Sequence, residues 1–147
     1  MLERKNGHIV YMNSIQGKIG LANRAGYAAS KHALTGFADS LRAEVEDNGV
    51  FVSTIYPGYI KTNLAKSALA SEAGSSYGKT DGNIARGMAP EVFAEKALRA
   101  IYFKERDAVL PDRFVNGLAV PLRNLVPNLV FWIVKKKKYA DMKLKDE

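Results

Sequence analysis

Three residues carry the chemistry this sequence could perform. Ser14, Tyr27 and Lys31 lie within "NSIQGKIGLANRAGYAASKHALTG", residues 13–36. On a helix, residues spaced as Tyr27 and Lys31 are share one face, with Cβ atoms roughly 5–6 Å apart. An ammonium beside a phenol favours the phenolate. A tyrosine tuned in that way can exchange a proton with a carbonyl or alcohol oxygen near neutral pH. A serine hydroxyl nearby could hold the same oxygen. Tyrosine-x-x-x-lysine pairs also arise by chance, so the weight of this one comes from the elements around it.

Those elements read as strand, loop, helix, strand. "GHIVYMN" (Gly7–Asn13) is short and mostly apolar, without the alternation of a half-exposed strand, which suits a parallel sheet covered on both faces. Ser14–Arg24, with Gly17 and Gly20, reads as a loop. A helix is expected over Ala25–Asp47, with Leu34, Phe37, Leu41 and Val45 as its apolar stripe and Asn48-Gly49 as its stop. "VFVSTIYP" (Val50–Pro57) is the next strand, closed by Pro57-Gly58. This order implies a right-handed parallel crossover. Ser14 then stands at the C-terminal end of a parallel strand, where open α/β sheets place their ligands.

Thr62–Ala89 is rich in Ser, Gly, Ala and Asn and reads as a mobile lid, with a short helix near Leu64–Ala70. Its stretch Gly74–Gly82 reads as flexible loop, because no strand precedes it. Pro90 opens a further helix whose apolar face is read as Val92, Phe93, Ala97, Leu98 and Ile101. Asp107–Pro111 is a brief strand. Asp112–Val134 is helical or amphipathic and is expected to break at Pro121 and Pro127. The class is α/β, with three strands and about three helices, too few for a closed doubly wound domain.

Composition narrows the chemistry further. The chain has 147 residues, 47% of them hydrophobic, enough for one domain with a core. It has no cysteine, which removes disulfides and a thiol nucleophile. His8 and His32 lie far apart in sequence, and a surface role is expected for both. The net charge is +7, of which the tail 135–147 supplies +3, from six lysines against Asp141, Asp146 and Glu147. The body is only mildly basic and shows no nucleic-acid motif, so no nucleic-acid partner is expected. "MLERKNG" lacks the apolar region of a signal peptide, and no apolar run is long enough to span a bilayer.

On these residues the chain resembles the catalytic half of the short-chain dehydrogenase/reductase family. The stretches that carry the likeness are "GHIVYMNSIQGKIG", "YAASKHALTGFADSLRAEV" and "VSTIYPGYIKT", and it extends over about Gly7–Ala100. The tail and "ARGMAPEVFAEKALRAI" resemble the membrane-associated members of that family. The resemblance implies an incomplete Rossmann-like, doubly wound parallel sheet, a partial domain over 1–134 with its lid at about 62–89, and a lysine-rich tail at 135–147. It implies hydride transfer between NADP or NAD, with NADP preferred, and a small carbonyl or secondary alcohol, including lipid-like ones. Tyr27 would be the general acid/base. Lys31 would tune it and bond the nicotinamide ribose. Ser14 would orient the substrate carbonyl. Pro57 and Gly58 would face the nicotinamide, Ile60 would meet its amide through the backbone, and Thr62 would bond the carboxamide or a phosphate oxygen.

In this family the Tyr–Lys helix packs against its copy, so a homo-oligomer is expected through residues 25–47, where Ala28, Ala29, Ala33 and Gly36 are small. The family's glycine-rich pyrophosphate turn and its NAD/NADP-selecting residue do not occur in this sequence. The expectation is therefore a fragment, with the Gly7–Asn13 strand missing a neighbour. An inactive module that dimerises with full-length subunits or tethers to a membrane is the alternative. "LVPNLVFWIVKKKKYADMKLKDE" joins an apolar stretch with Trp132 to a lysine cluster, which suits interfacial membrane contact through residues 125–138. The expected location is a membrane surface of the endoplasmic reticulum or peroxisome, or the cytoplasm. The final "KLKDE" lacks the leucine of a retention signal.

Overall fold

The computed structural model describes residues 1–62, 84 and 86–143, with side chains through Lys136. Strands β1 (Gly7–Met12), β2 (Val50–Pro57) and β3 (Asp107–Leu110) form one parallel sheet in the order β1–β2–β3. Gly7 registers with Val50 and Met12 with Ile55, while Thr54 registers with Asp107 and Pro57 with Leu110. Only β2 has a partner on both sides, and its residues 52–56 are all buried. β1 is an edge strand among the described residues, and Gly7–Tyr11 are half-buried.

Helix α1 (Ala25–Val45) covers one face of the sheet and α2 (Pro90–Tyr102) the other. Strand alternation sorts the core between them. Ile9, Tyr11, Val50 and Val52 pack with Ala38, Leu41 and Val45 of α1. Val10, Ile55, Ala108 and Leu110 pack with Phe93, Ala97, Ala100 and Ile101 of α2. The expected helix Ala25–Asp47 stops slightly earlier. Its last turn tightens to a 3₁₀ turn over Glu46–Asn48, and Gly49 closes it in the left-handed region at φ 70°.

The structure corrects two apolar faces. Phe37 is 57% exposed, because it lies about a quarter-turn from the stripe that Leu34, Ala38, Leu41 and Val45 turn to the sheet. On α2, Val92 and Leu98 are exposed, and Ala100 joins Phe93, Ala97 and Ile101 instead. Two of the buried positions on α2 are alanines, so bulk is a poor guide to its inner face.

Two helices follow β3: α3 (Phe114–Leu125) and α4 (Pro127–Lys143). Pro121 does not break α3. It removes the one amide that would bond Gly117, and the helix continues to Leu125. Pro127 opens α4 at its first position, where its missing N–H costs nothing, and α4 runs on across residues 134 and 135. Val130 and Val134 of α4 and Ala119 and Val120 of α3 close a third cluster with Ile15, Ile19 and Tyr56. Of the expected lid only residues 62, 84 and 86–89 are described; the short helix near Leu64–Ala70 and the stretch Gly74–Gly82 lie outside the described residues.

Candidate active site

β1 ends at Met12, and α1 starts after the loop that follows and packs back along the sheet, so its N-terminal turns lie at the C-terminal end of the strands. The core stripe of α1 read backwards is Val45, Leu41, Ala38, Leu34, Lys31, Tyr27, in alternating steps of three and four. Tyr27 and Lys31 are therefore the continuation of the buried stripe beyond the edge of the sheet. Where the helix overhangs, the apolar positions give way to a phenol and an ammonium. Lys31 is half-buried, and its Nζ lies 5.7 Å from the Tyr27 ring centroid. Tyr27 is 43% exposed, so its hydroxyl is reachable from solvent. Among the described residues Lys31 has no carboxylate partner.

Ser14 follows the end of β1 and caps a 3₁₀ turn over Ile15–Gly17. Its Oγ accepts the Gln16 N–H at 3.2 Å, which leaves its own hydroxyl proton to donate elsewhere. No hydrogen bond joins Ser14 to Tyr27 or Lys31 among the described residues; the loop and the helix are brought together through Asn13.

Asn13 is the residue that the sequence reading passed over. It is 5% exposed, and both ends of its amide are used. Its Nδ2 donates to the Lys31 carbonyl at 3.1 Å and to Thr35 Oγ1 at 3.0 Å, while its Oδ1 accepts the Ser14 N–H at 2.9 Å. Thr35 in turn lies within 3.1 Å of the carbonyls of Gly17 and Lys31, either of which its one proton can serve. This clamp fixes Ser14 against the turn of α1 that carries Lys31. Gly17 belongs to it: a Cβ there would stand 2.9 Å from the Asn13 amide and from the Lys31 carbonyl. An asparagine directly before the candidate serine was the available signal.

The second edge of the site is the chain leaving β2. Gly58 N–H donates to the Leu110 carbonyl at 2.9 Å. A Cβ on Gly58 would collide with Asp112, so packing against the β3–α3 connection already accounts for a glycine here. Ile60 forms a parallel bridge with Met88: Met88 N–H donates to Tyr59 O at 2.8 Å and Lys61 N–H to Met88 O at 2.9 Å. Residues 59 and 61 thus turn their peptide groups to Met88, and the N–H and C=O of Ile60 face the opposite side. Pro57 is half-buried and Thr62 is exposed. No group of three or more His, Asp or Glu is arranged to hold a metal among the described residues.

Away from this constellation, His8 and Lys18 depart from their ordinary values. Burial lowers the His8 pKa, helped by the nearby Lys104 charge. His8 is half-buried rather than a plain surface residue, and its Nε2 lies 2.8 Å from Ser53 Oγ. Ser53 gives its proton to the Glu105 carbonyl at 2.6 Å, so the imidazole must be the donor and carries its proton on Nε2. Burial disfavours the Lys18 ammonium, but Asp107, at 2.7 Å, and Tyr56 together outweigh that and raise its pKa overall.

The family profile for short chain dehydrogenase matches residues 1–73. Over 137 residues the chain is 47% identical to the dehydrogenase/reductase SDR family protein 7-like of Drosophila melanogaster, covering 93% of this chain and 41% of that protein. It is 44% identical over 145 residues to dehydrogenase/reductase SDR family member 7B of Mus musculus, covering 99% of this chain and 44% of the relative. The chain therefore spans less than half the length of these curated relatives. A solved structure of an actinorhodin polyketide ketoreductase F189W variant with NADPH superposes with a TM-score of 0.55 at 28% identity, over 76% of this chain and 47% of that one. With the parallel sheet flanked by helices on both faces, these matches establish that the chain belongs to the short-chain dehydrogenase/reductase family.

Proposed function

We propose that this chain carries the acid/base side of an NAD(P)-dependent oxidoreductase that interconverts a carbonyl and a secondary alcohol. The observation that carries the reading is the Tyr27–Lys31 pair, overhanging the sheet on one helix face, with no carboxylate partner for Lys31 among the described residues and with the Lys31 backbone tied to Ser14 through Asn13. In the reductive direction the Tyr27 hydroxyl gives its proton to the substrate oxygen; in the oxidative direction the phenolate takes it back. Ser14 donates its one hydroxyl proton to the same oxygen, because its Oγ already accepts from Gln16.

A bound nicotinamide would supply or accept the hydride. The residues fit such a group. The Ile60 peptide faces away from Met88 and could meet a carboxamide, with Pro57, Gly58 and Thr62 beside it on the same segment. Lys31 and Tyr27 could serve ribose hydroxyls. NADP is favoured over NAD, since the solved ketoreductase is described with NADPH. The substrate is a small-molecule carbonyl or secondary alcohol.

Tyr27→Phe in the full-length gene product tests the assignment. Carbonyl reduction should fall by about 10²–10⁴ in kcat/KM with the fold, read by circular dichroism, unchanged. Turnover at the parent rate would sink it.

A second reading concerns assembly. Ala29, Ala33, Gly36 and Phe37 are exposed on one side of α1, and a Cβ on Gly36 would meet nothing within 4 Å. This side suits a second copy of the chain, or a full-length subunit, packed helix to helix. Ala28 is buried and is not on this exposed side.

A further inference from the structure

The helices after β3 are built outside in. On α3, Phe114, Val115, Leu118, Leu122 and Leu125 fall on one side, and all five are exposed, Phe114 at 79% and Leu125 at 77%. The side turned to the core carries the smaller Ala119 and Val120. On α4, Val130 and Val134 pack inward, while Leu129, Trp132 and Ile133 are each about half exposed. Between the helices runs an apolar groove of about 150 Å³, walled by Val115, Leu118 and Leu122 of α3 and by Val130, Ile133 and Val134 of α4. Exposed apolar side chains in this number form one continuous surface, of the kind that marks an interaction site.

The charge beside it identifies the occupant. α4 passes directly from the apolar segment into Lys135–Lys138. Lys135 and Lys136 are exposed, and Lys136 Nζ sits 4.0 Å from the Trp132 ring centroid, which places cation and indole on one outward face. A second copy would bring the same lysines to the contact, like charge against like. No helix among the described residues is long and apolar enough to cross a membrane. We propose that the α3–α4 pair docks on the surface of an anionic phospholipid membrane. The apolar face of α3 and the Leu129–Trp132–Ile133 side of α4 lie at the headgroup–acyl boundary, and the lysines lie among the headgroup anions. The inference rests on this surface alone and is independent of the oxidoreductase reading.

Trp132 is the chain's one tryptophan, so its fluorescence reports directly. The purified chain should show a blue shift and quenching by brominated acyl chains with phosphatidylcholine vesicles containing phosphatidylserine. Neither change should occur with phosphatidylcholine alone. Raising NaCl should reverse both, and the Lys135→Gln/Lys136→Gln variant should bind roughly thirtyfold more weakly. Leu118→Ser/Leu125→Ser alters only exposed side chains and should also lose binding. Equal, salt-insensitive binding to neutral vesicles overturns the proposal. So does an absence of vesicle binding together with a dimer, in analytical ultracentrifugation, that Leu118→Ser/Leu125→Ser abolishes, since the face then meets a second copy.

Discussion

Asn13 shows how little of a candidate site resides in its candidate reacting groups. Ser14 and Lys31 lie on separate elements, and the side chain that relates them is the Asn13 amide, bonded to the backbone of both. Its burial raises the cost of losing either end, since an unpaired buried polar group costs about 1–3 kcal/mol. His8 gives a test at the same scale. Burial, and then the Lys104 charge, lower its pKa, so the fold favours the neutral ring that donates to Ser53. Above the ordinary value of 6.5 folded and unfolded chains are both neutral here, and the contribution is complete. As the pH falls below that value the unfolded chain binds the proton first, and stability is lost until the folded ring is also charged. Thermal melts between pH 7.5 and 5 should show this decline, and His8→Gln should make it shallower. An identical slope in the variant would assign the decline to other groups.

The elements are held together by one charged knot as well as by apolar packing. Arg42 of α1 donates to Asp39 and Asp107 and to the carbonyls of Val52 and Arg106, at 3.0–3.2 Å. Asp107, at the start of β3, also takes Lys18 from the loop before α1. Three segments distant in sequence meet there. The Arg42 side chain is only 16% exposed, so its bonds are worth more than those of a surface pair. Arg42→Ala should lower unfolding stability by about 2 kcal/mol, read as a shift in the urea midpoint, because it leaves two carbonyls and Asp107 short of a donor. A shift within about 0.5 kcal/mol would mean that apolar packing alone joins α1 to β3.

At the scale of the whole molecule, two of the exposed faces among the described residues bear on assembly. One is the small-residue side of α1 and the other is the apolar side of α3 and α4. They lie on different elements and can be separated by mutation. Ala33→Arg places a charge on the first and should convert a dimer to monomer in analytical ultracentrifugation, while vesicle binding through α3–α4 continues. Unchanged mass with Ala33→Arg would remove α1 from the assembly. The chain also spans only 41–44% of these two relatives.

The order of strands and helices, the parallel sheet and the shared helix face of Tyr27 and Lys31 were legible in the residues, because each depends on local periodicity: two for strands, 3.6 for helices. The inner face of α2 was legible in part: Phe93, Ala97 and Ile101 lie on it as read, while Val92 and Leu98 are exposed and Ala100 is buried in their place. The continuity of α3 through Pro121 was not, because a helix can lose one hydrogen bond when its neighbours supply the packing. The clamp at Asn13, the collision that explains Gly58 and the outward apolar side of α3 all depend on which distant atoms arrive beside a residue. Residue type and spacing decided what Ser14, Tyr27 and Lys31 could do. Only the packing of α1 across the end of β1 decided that Ser14 would be held against the helix turn that carries Lys31.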